Sequence, residues 1–387
     1  MAIDGVRGES GDGARALRFL VTVTFTRNQV RSHLLPLLAL PEVGSVTLVA
    51  DVEPPPLPKL RAVVPPRWLK RLLGRAGAKL VICLWLAVRD RPDWIVGFNF
   101  MPHGLNARIV GGLTRTKSLY HMIGGELEWL GGGWKSDNRV LSRLPRPVPS
   151  LERLLLRLMR GCTVVATMGE SGRRVLLERG FDPRHVRVFP PSVDTERFRP
   201  SVGGDPTYYH VLNVGALIER KRTADLIRAL ARLRANHPDV RAAVLGEGPL
   251  EAELRRLTAE LGVADCVDFL GFREDVESVH ARSGIFVLPA AFEGLPVAML
   301  EAMASGLPPV MTDVGEIGGF IREGETGFLV PAGDVERLAE KLDHLLSDEP
   351  TRAAVGAAAA EDVRARVSVQ AVSRLYHEFL AADTGEH

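Results

Sequence analysis

At 387 residues the chain exceeds what one hydrophobic core serves, so two domains of about 200 and about 170 residues are expected. Its 46% hydrophobic and 25% charged residues exclude a chain disordered throughout, and 49 basic against 47 acidic residues, with no recognised nucleic-acid module, give nucleic acid no platform. Cys83, Cys162 and Cys266 form no CxxC pair, which excludes a disulfide framework or zinc ribbon and suits a reducing cytosol.

Residues 1–15, rich in glycine and charge and lacking an apolar stretch, read as a flexible leader rather than a signal peptide. Residues 17–24 read as a strand, 28–40 as a helix and 46–51 as a strand. Between positions 54 and 89 there are eight Lys or Arg and no Asp or Glu. With Trp68, Leu69, Leu72 and Leu73 interleaved, residues 66–74 suit either an anionic membrane surface or a solvated helix face. The apolar run 78–88 is too short to span a bilayer and is expected as a buried element. Strands follow at 93–98 and 117–123, the latter carrying His121. A glycine-rich loop comes next, through Gly124, Gly125, Glu126, Glu128, Gly133, Trp134, Asp137 and Asn138, and suits a mobile wall beside a ligand site. A basic amphipathic helix at 150–160, a strand at 163–166 and a helix at 171–179, stopped by Gly180, complete an alternation that implies a parallel, doubly wound sheet.

Residues 203–206 read as the interdomain linker. A strand at 211–217 then runs into a turn at Gly215, with Arg220, Lys221 and Arg222 ahead of a helix at 224–236. Cations placed there suit a diphosphate leaving group, whose charge grows as its bond breaks. The strand 242–245 ends in Gly246-Glu247-Gly248-Pro249, where glycines permit close backbone approach. Residues 267–273 form a strand and turn closing on Phe272 and Arg273. After a strand at 283–289, Glu293 and Glu301 stand eight positions apart across a loop-to-helix junction, with Pro296 in the first turn. Helical neighbours of Glu301 are Val297, Ala298, Ala304 and Ser305, so a carboxylate on that apolar face must find a donor. The strand 309–312 completes an α/β unit, in which ligands gather at the carboxyl ends of the strands.

Glu293 and Glu301, followed by Ala302-Met303-Ala304-Ser305-Gly306-Leu307-Pro308 and by TDVGEIGGFI (312–321) and GETGFLV (324–330), resemble the family 4 glycosyltransferases. Residues 190–200 resemble that family's segment at the end of its first domain. The resemblance implies the GT-B fold, two Rossmann-like doubly wound domains facing each other across a cleft, and covers the chain from about residue 163 onward. It implies a first, acceptor-side domain at 1–203, a donor domain at 204–366 and a terminal helix at 367–387 that packs back on the first.

By the same resemblance the reaction is hexosyl transfer with retention, from a nucleotide-diphosphate sugar to a glycan, lipid-linked or small-molecule hydroxyl in polysaccharide or glycolipid synthesis. Glu293, Lys221 and His121 take the catalytic positions, the alternative for His121 being a satisfied core histidine. Gly215, Arg220, Lys221, Gly246, Glu247, Phe272, Arg273, Gly294, Leu295 and Glu301 hold the donor, and Arg27, Asn28, Gly124, Gly125 and Glu126 face the acceptor. No D-x-D occurs, and no metal or other cofactor is implied. The expected location is cytoplasmic, at most peripheral on the inner face of the plasma membrane. Ala216 stands where relatives carry arginine, and residues 25–33 lack the family's Gly-Gly loop. The alternative is a noncatalytic donor-binding or scaffold partner of a glycan-assembly system; a phosphorylase or epimerase would need phosphate-dependent cleavage or free-sugar release.

Overall fold

The computed structural model describes residues 15–128, 141–146, 148–201 and 208–384. The leader 1–14, the loop positions Gly133, Trp134, Asp137 and Asn138, and the linker 203–206 lie outside the described residues.

The first half runs β1 (Leu17–Thr22), α1 (Arg27–Leu38), β2 (Val43–Val49), β3 (Leu60–Val63), α2 (Arg67–Asp90), β4 (Trp94–Phe98), α3 (Leu105–Thr114) and β5 (Lys117–Met122). It closes with α4 (Pro149–Met159), β6 (Val164–Thr167), α5 (Glu170–Glu178) and β7 (Val186–Val188). Its seven parallel strands lie in the order β3-β2-β1-β4-β5-β6-β7, with Phe19 beside Trp94 and Leu119 beside Val164. The second half runs β8 (Tyr209–Val214), α6 (Thr223–Leu233), β9 (Ala242–Leu245), α7 (Glu251–Glu260), β10 (Val267–Gly271), α8 (Val276–His280) and β11 (Ser283–Leu288). Then come α9 (Val297–Ala304), β12 (Pro309–Thr312), α10 (Ile317–Phe320), β13 (Phe328–Val330), α11 (Val335–Ser347), α12 (Glu349–Val367) and α13 (Val369–Thr384). Six parallel strands lie in the order β10-β9-β8-β11-β12-β13. Both sheets reverse direction beside their first strand, which opens a crevice at the carboxyl ends where ligands bind in such sheets.

The central strands are buried on both faces, Trp94 to Phe98 and Ile285 to Leu288 alike, because helices cover each side. The last helix crosses back to the first sheet. Tyr376 stacks on Phe189 at 4.2 Å, Phe379 meets Trp94 at 5.2 Å, and Lys117 pairs with Asp383 at 2.6 Å. Where the chain passes between the domains, Val193 bridges to Ser368, so both crossings are tied together.

The run 78–88 is not a buried element. It forms the second half of α2, beyond a break at Gly74 (φ 69°), with Ala78, Cys83, Leu86 and Ala87 inward and Val81, Trp85 and Val88 facing outward. Among the described residues no helix is long and apolar enough to cross a membrane.

Candidate functional site

A cavity of about 670 Å³ lies between the facing ends of the two sheets, walled by Arg27, Asn28, Pro55 and Pro56 on one side and Gly215, Ala216, Gly246, Glu247, Phe272 and Arg273 on the other. Each wall follows from local chemistry. On the first side Thr26 caps α1: Gln29 N–H donates to the Thr26 hydroxyl, and the Gln29 side chain accepts from Thr26 N–H, holding Arg27 and Asn28 at the helix start. On the second side three glycine-bearing loops nest. Gly246 adopts φ 131°, and a Cβ there would collide with the Gly215 carbonyl. Phe272 is 67% exposed at the rim, and Arg273 is held by Asp275 at 2.5 Å.

Beside the cavity, the Lys221 ammonium donates directly to the Glu293 carboxylate, and both side chains are largely buried. Lys221 ends a short turn after β8, with its aliphatic stem lying along Gly215. Arg220 O accepts from Ala291 N–H at 2.8 Å, so the lysine turn and the glutamate loop form one unit. Gly294 completes it: a Cβ there would collide with Ile123 O and Met168 of the opposite domain. No described residue accepts from the Gly294 or Leu295 N–H, and the Leu295 side chain is in the core. Arg222, in a left-handed conformation, is turned to Asp225 at 2.6 Å and supplies no second cation here, whereas the Arg220 guanidinium lies over Phe292 at 5.9 Å.

Glu301 is only 7% exposed, and its carboxylate has no hydrogen-bond partner among the described residues. It faces a void of about 20 Å³ shared with Asn28, Arg31, Asp194 and Arg197. Burial pushes its carboxyl up to about 8, against the pull of Arg197, which is itself paired with Glu277 at 2.7 Å. The donor that this carboxylate requires is therefore not supplied by the described protein.

His121 lies elsewhere. At 1% exposure it packs with Phe98 (5.0 Å) and His33 (5.8 Å), makes no ring hydrogen bond, and is held neutral, its pKa pushed down to about 3 by burial. It sits on a central strand covered on both faces and does not line the cavity. Gly124 and Gly125 likewise stand apart from that cavity, and the side chain of Glu126 lies outside the described residues. The acidic residue that organises this loop is Glu128, whose carboxylate accepts from Phe100 N, Tyr120 OH, Ile123 N and Gly124 N at 2.6–2.7 Å. Its four donors are backbone and phenol groups that no local pattern reveals. Arg27 also bridges the domains, to Glu274 at 3.3 Å.

Residues 194–362 match the family model described as glycosyl transferases group 1. The GDP-mannose-dependent alpha-(1-6)-phosphatidylinositol monomannoside mannosyltransferase of Mycobacterium tuberculosis is 30% identical over 253 residues, covering 60% of this chain and 65% of that protein. The lipopolysaccharide core biosynthesis glycosyltransferase LpsE of Rhizobium meliloti is 32% identical over 172 residues, 44% of this chain and 49% of LpsE. The chain thus spans from just under half to just under two thirds of the length of these curated relatives. Among solved structures, Anabaena Alr3699/HepE in complex with UDP-glucose superposes with a TM-score of 0.72 at 17% identity, over 95% of this chain and all of that one. Sucrose-phosphate synthase from Thermosynechococcus elongatus reaches 0.73 at 18%, with the same coverage. At such identities the likeness is one of fold, the GT-B pair of Rossmann-like domains.

Proposed function

We propose, from a second domain that belongs to the glycosyl transferases group 1 family, that this chain transfers a hexosyl group from a nucleotide-diphosphate sugar to an acceptor hydroxyl with retention, in the manner of family 4. The observation that carries the reading is the Lys221–Glu293 pair beside a cleft large enough for a nucleotide sugar, with unengaged Gly294 and Leu295 amides and an unsatisfied Glu301 nearby. Lys221 and the two amides receive the diphosphate as its charge grows. Glu293, released from Lys221, faces the sugar and its developing positive charge. The acceptor oxygen bonds to the anomeric carbon as the carbon–phosphate oxygen bond breaks, and the acceptor proton passes to the leaving diphosphate on the same face. Glu301 accepts from ribose hydroxyls, which supply the donors it lacks. Phe272 and Arg273 flank the base. No metal enters this scheme.

A lipid-linked acceptor on an anionic bilayer suits the outer face of α2. Trp68 (65%) and Leu72 (72%) are exposed before the Gly74 break beside Lys70 and Arg71, and Trp85 (50%) and Val88 (64%) are exposed after it. Cosedimentation with phosphatidylglycerol vesicles that is lost on Leu72→Glu and on charge reversal at Lys70 and Arg71 supports this; indifference to all three removes it. The chain then acts on the cytoplasmic leaflet.

The function itself is tested by binding and turnover of UDP-, GDP- and ADP-sugars, with Glu293→Ala and Lys221→Ala alongside. Slow hydrolysis or transfer by the wild type alone is expected. Ala216, which removes one cation, favours a second reading as a noncatalytic donor-binding partner; binding of a donor without turnover, whatever the acceptor, selects it.

A further inference from the structure

Glu316 belongs to the second domain, in the turn between β12 and α10, yet its carboxylate is spent on the first. Its two oxygens accept from Gly172 N–H at 2.6 Å and Ser171 N–H at 3.1 Å, the first turn of α5. That helix begins at Gly169 with no side-chain cap of its own, so the cap it needs comes from a residue more than 140 positions away across the cleft. The fit is shaped from both sides. A Cβ on Gly169 or on Gly172 would run into the Glu316 carboxylate, and this buried residue has the two amides, the Ser171 hydroxyl and the positive end of the helix to balance its charge against nearby Glu170.

The other end of the same residue reaches the candidate centre. Glu316 N–H donates to Gly294 O at 3.2 Å, and Gly315, at φ 60°, lies so close to Glu293 O that any side chain there would overlap it. From the front, Gly294 rests on Ile123 and Met168 of the first domain. The loop bearing Glu293 is therefore held from behind by Gly315 and Glu316 of its own domain and from the front by Ile123 and Met168 of the other, and the Glu316 residue that backs it is itself tied across the cleft to α5.

Resting on the transferase reading above, we propose that Glu316 is a positioning residue, an interdomain latch that caps α5 on closure and thereby sets the Glu293–Gly294 loop against the first domain. Most donor contacts lie outside that loop, at Gly215, Gly246, Phe272, Arg273 and Glu301, and do not require the latch; the Gly294 and Leu295 amides, which take up the charge that grows in the transfer step, do.

The test is amide hydrogen exchange on the full chain, with kinetics beside it. In Glu316→Ala, exchange at Ser171 and Gly172 accelerates about tenfold or more, as loss of charge-assisted bonds dictates, while β5 and β6 keep their protection. Donor affinity stays within about threefold, and kcat for transfer falls at least tenfold with donor KM unchanged. Gly169→Ala, whose extended backbone tolerates a methyl group, displaces the carboxylate from the other side and gives the same pair of effects should Glu316→Ala fold poorly. Unchanged exchange at Ser171 and Gly172 in both variants, or released amides with full kcat, overturns the latch. The exchange measurement needs no turnover, so a wild type inert toward every sugar nucleotide refutes the transferase reading while the latch stands or falls on exchange alone.

Discussion

Replacing Glu301 with glutamine isolates a proton that donor binding must displace. In the free protein burial holds this carboxyl at about 8, so about 1% of molecules carry the carboxylate at pH 6 and about half at pH 8. If ribose hydroxyls donate to the ionised form, a nucleotide sugar binds about 50-fold tighter at pH 8 than at pH 6, or about 2.3 kcal/mol at 1.36 kcal/mol per pH unit. The nucleotide sugar contributes no slope of its own, since its diphosphate is fully ionised across that range. Calorimetry at several pH values, in buffers of different ionisation enthalpy, counts the proton released; Glu301→Gln should bind with flat pH dependence and release none. A slope that survives in Glu301→Gln, or a wild type that binds without losing a proton, refutes the assignment. The same group acts on folding with a sign opposite to that of a salt-bridged carboxylate. Between its ordinary value of 4.5 and about 8 the folded chain keeps a proton that the unfolded chain has lost, so stability falls as pH rises through that window, and the variant loses this fall.

Lys221→Ala leaves the Glu293 carboxylate buried without its cation and should cost about 3 kcal/mol in chemical denaturation as well as turnover; adding Glu293→Gln should recover most of the stability and none of the turnover. Gly294→Ala forces a methyl group against Ile123 O and Met168, so about 1–3 kcal/mol of destabilisation and a lower kcat are expected, and unchanged values of both would refute the close approach. Phe272→Ala should weaken nucleotide binding about tenfold, the worth of one base stacked on an aromatic ring, without moving the denaturation midpoint, because the side chain is exposed at the rim.

The alternation of short apolar segments with amphipathic ones, and the punctuation by Gly180, Gly215 and Gly306, made the doubly wound architecture legible, because period and turn chemistry are local properties of the chain. The same holds for the Glu293 and Glu301 spacing, since one loop and one helix carry both. Elements whose identity rests on partners were harder to read. The strand Leu60–Val63 is a half-exposed edge strand between proline clusters and has no alternation to announce it. The run 78–88 is apolar enough for a core, and only the position of the sheet decides that Val81, Trp85 and Val88 face away from it. His121 lies near the end of a strand that leads into a glycine loop, as a cleft residue does, yet the pleat turns its ring onto Phe98 and His33.

What the sequence determined by itself is therefore the set of elements and the chemistry of the loops at their ends, both of which are fixed by residues within a turn or two of one another. The meeting of Lys221 with Glu293 across 72 positions, the isolation of Glu301 from any described donor, and the reach of Glu316 to a helix 144 positions away were decided by the tertiary structure. Hydrogen bonds and desolvation depend on distances in space, and the apposition of two sheets brings those groups together in a way no local pattern encodes.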